Sequence, residues 1–208
     1  VRIDGELQRL DAAQLQQTAR QHIRGNIFKA DLNATREAFE ALPWVAEAEV
    51  RRLWPDPVQI RIREREPVAR WKAAGLVVAN GNILQAATTE TFPEFDGQPG
   101  TAKTMVAHYQ EFSGLLKPAG LSIAKLEYTP RSAWSVVLDN GITVRLGREH
   151  ENARLQQFAA VWPGILRAQQ SGLAYVDMRY KDGFAVRERA PSEMPSETAA
   201  SAADHNQQ

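Results

Sequence analysis

Hydrophobic and polar positions along this chain follow two rhythms that alternate from one end to the other. At the start, Val1 and Ile3 alternate with polar neighbours and lead into Gly5, which predicts a short strand and a turn. Asp11 can cap a helix, with Gln14 as its capping-box partner, and Leu15, Ala19 and Ile23 recur at helical spacing. Arg24-Gly25-Asn26 breaks that helix. Asp31 can cap a second helix, with Leu32, Thr35, Phe39 and Leu42 on one face, and Pro43 stops it. The stretch 45–53 places Ala46, Ala48 and Val50 on one side of a strand, and Glu47, Glu49 and Arg51 on the other. After a turn at 54–57, Val58, Ile60 and Ile62 point inward while Gln59, Arg61 and Arg63 point outward. The order β-α-α-β-β predicts a small sheet with both helices on one face.

Pro67 marks a boundary, and strands dominate beyond it. Residues 75–86 form a hairpin around Asn80-Gly81, 91–100 read as a loop, and a helix from about 102 to 117 carries Met105, Val106, Tyr109, Phe112 and Leu116. Three more strands follow, the last two joined at Asn140-Gly141. A helix from about 150 to 169 carries Leu155, Phe158, Val161, Trp162 and Ile165, and Pro163 is expected to kink or divide it. A final hairpin, 173–191, turns at Asp182-Gly183. The tail 191–208 is too polar to offset its ordering entropy and reads as disordered. The fold class is therefore α+β.

Composition removes several function classes. With 25 Lys+Arg against 25 Asp+Glu, the formal net charge is zero, which argues against recognition of nucleic acid by phosphate neutralisation. The chain has no cysteine, so disulfides, thiol catalysis and thiolate metal sites are absent, a composition that suits cytoplasm or periplasm. No run of 18 apolar residues occurs, and the chain opens at Val1 in what reads as a strand. The expectation is a fragment whose natural N-terminus has been removed, together with a membrane anchor.

Candidate chemistry is sparse. The four histidines, His22, His108, His150 and His205, are scattered without metal-ligand spacing, and His150 between Glu149 and Glu151 reads as a solvated cluster at a helix start. No nucleophile elbow, phosphate loop or dinucleotide fingerprint is present. Arg51, Arg52, Arg61, Arg63 and Arg65 are interleaved with Glu49, Glu64 and Glu66, which reads as a charged outer sheet face. Nothing calls for an enzyme, a cofactor or a metal. An enzyme with a dispersed site is one alternative.

Three stretches carry a resemblance. LPWVAEAEVRRLWPDPVQIRIREREPVARW (42–71) resembles the POTRA domain of the FtsQ/DivIB family of bacterial cell-division proteins. SAWSVVLDNGITVRLGRE (132–149) and YVDMRYKDGFAV (175–186) are similar to that family's second domain. The resemblance implies a POTRA domain over 1–67 and a mixed α/β domain with a predominantly antiparallel, curved sheet over 68–190, with the tail 191–208 beyond. It implies a periplasmic region of a single-pass inner-membrane protein, concentrated at the septum, whose transmembrane helix precedes the POTRA domain. It also implies a non-enzymatic divisome scaffold that links early and late assembly proteins, with a POTRA-bearing outer-membrane assembly or secretion component as the alternative. The partners would be FtsB, paired with FtsL, with an FtsB segment adding a strand to the last strand of the domain.

Carried over residue by residue, that contact falls on Arg179, Tyr180, Asp182, Phe184, Ala185, Val186, Arg187 and Glu188, with a second basic contact near Arg131 from a neighbouring strand. Enterobacterial members place Gly-Trp near the end of that strand, where this chain has Arg187-Glu188 and no aromatic residue. Charges at Arg187, Glu188 and Arg189 are expected to discourage indiscriminate pairing at an edge left open for one partner.

Overall fold

The computed structural model describes residues 1–5, 7–23, 31–53, 58–72, 74–181 and 183–189. The helix breaker at 24–26, the turn at 54–57, Asp182 and the tail 191–208 lie outside the described residues. The fold has two compact units, one of Val1–Phe95 with Pro99–Val106, the other of Asp96–Gln98 with the chain from Ala107 onward. This partition follows contacts within the fold and differs from the motif boundary expected at Pro67.

The first unit begins with β1 (Arg2–Asp4), α1 (Ala12–His22), α2 (Leu32–Glu40), β2 (Val45–Arg51) and β3 (Gln59–Glu64). Both helices start as the sequence predicts. Asp11 accepts from the Ala13 amide, and Asp31 accepts from Asn33 and Ala34, so each N-cap satisfies otherwise orphaned donors. The sheet order is β1-β3-β2, with β1 parallel and β2 antiparallel to β3. Val58, Ile60 and Ile62 are buried with Leu15, Ala19 and Phe39, as their spacing predicts. On the outer face Glu47 lies opposite Arg63 and Glu49 opposite Arg61, and Arg63 Nη2 is 2.7 Å from Glu47 Oε2.

Alternation fails at the start of β2. Val45 and Ala48 are buried, whereas Ala46 is half-buried. A bulge between Val45 and Glu47 shifts the register there, and a bulge cannot be read from alternation alone.

The first unit is completed by β4 (Pro67–Trp71), β5 (Leu76–Val78), β6 (Ile83–Leu84) and β7 (Glu94–Asp96) up to Phe95, in the order β7-β4-β5-β6. The β5–β6 hairpin turns at Asn80-Gly81 as predicted, and Gly81 has a φ of 84°. The stretch expected to be a loop, 91–100, contains β7, which pairs in parallel with β4. Three residues behind Pro93 are too few to display a period, and only the burial of Phe95 reveals the strand. Trp44 packs against both the core around Phe39 and the cluster of Leu76, Val78 and Leu84. Above it Arg9 holds Glu90 through two contacts of 2.8 Å, with its guanidinium 5.6 Å from the Trp44 ring centre.

The second unit takes in most of α3 (Ala102–Leu116), then β8 (Ile123–Tyr128), β9 (Trp134–Leu138), β10 (Thr143–Gly147), α4 (Glu151–Val161), β11 (Leu173–Asp177) and β12 (Ala185–Glu188). Its strands run in the order β12-β11-β10-β9-β8, antiparallel except for β10 with β11. Phe112, Leu116, Leu155, Phe158 and Trp162 are buried, as their spacing predicts.

The helix expected over 150–169 is divided at Pro163. A π turn, Trp162–Leu166, and a 3₁₀ segment, Arg167–Gly172, follow α4. Pro163 has no N–H to give, and the chain instead closes a wider ring from the Arg167 amide to the Trp162 carbonyl. The extra residue turns Ile165 outward, to 55% exposure, and buries Leu166 in its stead. Ile165 is thus corrected from a core position to a surface one.

Candidate partner-binding edge

β12 is the last strand of its sheet, and among the described residues no strand lies beyond it. The direction of its backbone groups follows from its neighbours. The Met178 amide donates to Arg145 O on the β10 side, so Asp177 and Tyr175 turn their backbone groups toward β12. Their partners are Ala185 and Arg187, and the Arg189 amide continues the same parity by donating to Gly172 O at 2.7 Å. Val186 and Glu188 therefore direct their N–H and C=O groups away from the sheet.

Side chains give the edge its chemistry. Leu126, Val136, Val144, Val176 and Val186 are successive cross-strand neighbours along one face. The first four are fully buried, whereas Val186 is 45% exposed. An apolar row thus crosses the sheet and ends unfinished at the edge. Phe184 and Ala185 are half-buried, Arg187 and Glu188 are exposed, and Tyr180 is 61% exposed in the β11–β12 connection.

Arg131 does not sit on a strand. It lies in the turn between β8 and β9, where the Thr129 amide donates to Ala133 O. The turn nevertheless brings it to Arg179. Both line an open cleft of about 480 Å³ with Gly147, Arg148, Glu149 and Arg154.

Arg179 is not a loose cation. Its Nε lies 2.8 Å from Asp177 Oδ1 and its Nη2 2.6 Å from Asp177 Oδ2, while its own amide also donates to Oδ1. Asp177 is 4% exposed. The Arg179 guanidinium, its amide and the nearby Arg145 hold the Asp177 carboxyl below the usual carboxylate range, against the opposing effect of burial. Arg154 reaches from α4 to donate to Leu146 O at 2.6 Å and to Arg179 O at 3.4 Å. Gly147, with a φ of 82°, leaves room for both arginines, since a Cβ there would meet Arg154 Nη1 at 3.0 Å and Arg179 Cγ at 3.2 Å.

Sequence reasoning did not single out Asp177, Arg148 or Arg154. The Asp-x-Arg spacing at 177 and 179 was a usable signal, because residues two apart along an extended chain share a face. Arg189 is also corrected. It is half-buried, with its guanidinium 3.3 Å from Asn140 O, so it anchors the end of β12 and does not project as a repelling charge.

The depressed Asp177 pKa predicts a pH dependence. Its contribution to stability is fully present above the unfolded value near ~3.9 and is lost as pH falls through the lower folded value. In acid melts below about pH 4, Asp177→Asn is expected to show a shallower loss of melting temperature than the parent chain.

A β-α-α-β-β unit of POTRA type is followed by a strand-rich unit whose final strand has no neighbour beyond it among the described residues, the architecture of a modular cell-division protein. The chain matches the family described as Cell division protein FtsQ/DivIB, C-terminal, over residues 69–179, and that described as POTRA domain, FtsQ-type, over residues 1–65. Cell division protein FtsQ of Neisseria gonorrhoeae is 47% identical over 196 residues, covering 94% of this chain and 81% of that protein. The protein of the same name from Burkholderia pseudomallei is 36% identical over 194 residues, covering 90% of this chain and 78% of that protein. The chain belongs to the FtsQ/DivIB family of cell-division proteins. That family is one of cell-division scaffold proteins and is not a known enzyme family.

Proposed function

We propose that this chain recruits its division partners by strand addition at β12. The observation that carries the reading is the apolar row ending at the exposed Val186, beside outward backbone groups of Val186 and Glu188. An added strand gains main-chain bonds from those groups and continues the row with an apolar side chain of its own. Tyr180 adds a large amphipathic contact near the start of the strand, and Arg131 and Arg179 give that end a positive potential. Phe184, Ala185, Arg187 and Glu188 complete the contact surface, to which the family resemblance adds Asp182.

The family resemblance names the occupant as a segment of FtsB, itself paired with FtsL. Through that contact the chain links early and late septal assembly proteins. The same resemblance supports a periplasmic position, with a single transmembrane helix preceding the POTRA domain. No helix among the described residues is long and apolar enough to cross a membrane.

Titration of the chain with an FtsB periplasmic segment tests the reading. Tyr180→Ala is expected to weaken binding by about tenfold or more, since exposed aromatic residues are frequent hot spots. Circular dichroism should be unchanged, because Tyr180 is 61% exposed and supports no core. Unaltered affinity with an intact fold would remove the strand-addition site.

A further inference from the structure

Arginines on the outer face of β3 have glutamate neighbours until the strand ends. Arg63 Nη2 lies 2.7 Å from Glu47 Oε2, and Arg61 Nη1 lies 3.9 Å from Glu49 Oε2. Arg65, two residues further on, breaks the pattern. Its amide donates to Trp44 O at 2.8 Å, but its side chain has no ion pair among the described residues. The residue is half-buried, and its Nε is closed to solvent with no acceptor among the described residues. A donor shut away from water costs stability until something accepts from it, and a guanidinium stays charged at any physiological pH.

Arg65 lines a groove of about 480 Å³ with Glu40, Leu42, Pro43, Ile83 and Leu84. One wall is β6, which ends the order β7-β4-β5-β6 with no strand beyond it among the described residues. The Val78 amide donates to Asn82 O at 3.0 Å, and Leu76 lies opposite Leu84, so Asn82 and Leu84 turn their backbone groups toward β5. Ile83, between them, directs its N–H and C=O outward, and it is 41% exposed. Glu40, the groove's own carboxylate, has its Oε1 on the Ala48 amide at 3.4 Å.

We propose that β6 and this groove form a second docking site, separate from β12, for an extended partner segment that carries an acidic residue beside an apolar one. The added strand takes main-chain bonds from Ile83. Its carboxylate supplies the acceptor that Arg65 lacks, as a charge-assisted contact at a site partly closed to water. Its apolar side chain covers Ile83 against Leu42 and Pro43. A basic segment does not fit, because it would add a second cation and leave the Arg65 Nε without an acceptor.

Random peptides displayed on phage are the probe, panned on the whole chain with the FtsB segment present at saturation to occupy β12. Selected peptides should carry Asp or Glu beside Val, Ile or Leu, and a synthetic peptide of that consensus should bind less tightly as salt is raised. Arg65→Gln and Ile83→Asp are each expected to weaken that peptide about tenfold or more and to leave FtsB affinity unchanged. Arg65→Glu should select basic peptides in place of acidic ones. If no selected peptide depends on Arg65, or if acidic residues are not enriched, the site is overturned. Melting separates docking from a structural role, since an arginine that pairs with nothing inside the fold can be replaced without loss. Arg65→Gln should therefore melt at or above the parent temperature. Should Arg65→Gln melt lower or fail to fold, the exposed substitution Ile83→Asp decides, and retention of parent affinity for the peptide overturns the site.

Discussion

Replacing Trp134 by alanine is expected to destabilise the second unit by about 4 kcal/mol, the range found for removing a large buried aromatic side chain. Trp134 is 4% exposed and opens β9. His108 stacks on it with ring centres 4.3 Å apart, Tyr128 lies tilted at 4.3 Å, and Phe112 meets it edge-on at 5.9 Å. Its directly opposed neighbour on β10 is Gly147, which has no side chain to fill the space vacated. The surrounding rings belong to a helix and a paired strand, so collapse into the cavity is limited and the cost stays near the upper part of the range. Trp134→Phe keeps one ring and should lose about 1–2 kcal/mol. Hydrogen exchange resolved along the chain is the suitable measurement, because a single melting temperature averages two units. Loss of protection in β8, β9 and β10, with β1 to β3 protected as before, is the expected pattern. The turn that carries Arg131 ends beside Trp134, so the same substitution should also weaken binding at the β12 edge.

The parts of the fold that were legible in the sequence are those governed by one local rule. Val58, Ile60 and Ile62 obey the period of two without interruption, and all three are buried. Asp11 and Asp31 precede amphipathic runs, and both accept amides at helix starts. Family motifs also located the final hairpin, whose second strand is the open edge. What escaped the sequence depends on register or on a partner distant along the chain. The bulge that buries Val45 and the π turn that exposes Ile165 each add one residue to a period, which reverses the face of a strand beyond the insertion and turns that of a helix by about 100°. Another shift, between Leu173 and Tyr175, helps set which backbone groups of β12 face outward. Arg189 reads as a surface charge until the loop at Asn140, far off in sequence, supplies its acceptor.

Glu64 is the position where the local rule gave the right direction and composition gave the wrong one. Among so many arginines and glutamates it reads as part of a charged outer face, yet it continues the inward parity of Ile60 and Ile62. Its side chain is 6% exposed. Oε1 accepts from the amides of Gln8, Arg9 and Leu10 at 3.0, 2.9 and 2.9 Å, so one oxygen ties the end of β3 to the segment entering α1. Those donors have no strand or helix partner of their own, and a carboxylate is the strongest acceptor a side chain can offer them. Glu64→Ala is expected to destabilise the first unit by about 3 kcal/mol, because truncation leaves partly buried amides without an acceptor. Glu64→Gln keeps an oxygen in place of Oε1 and loses only the charge assistance, so about 1 kcal/mol is expected. A tenfold or greater difference in amide exchange between these two variants at residues 8–10, with β8 to β11 unaffected, is the signature to look for. Equal loss in both would mean that the Arg9 ion pair at 3.9 Å, and not the amide acceptor, carries the effect.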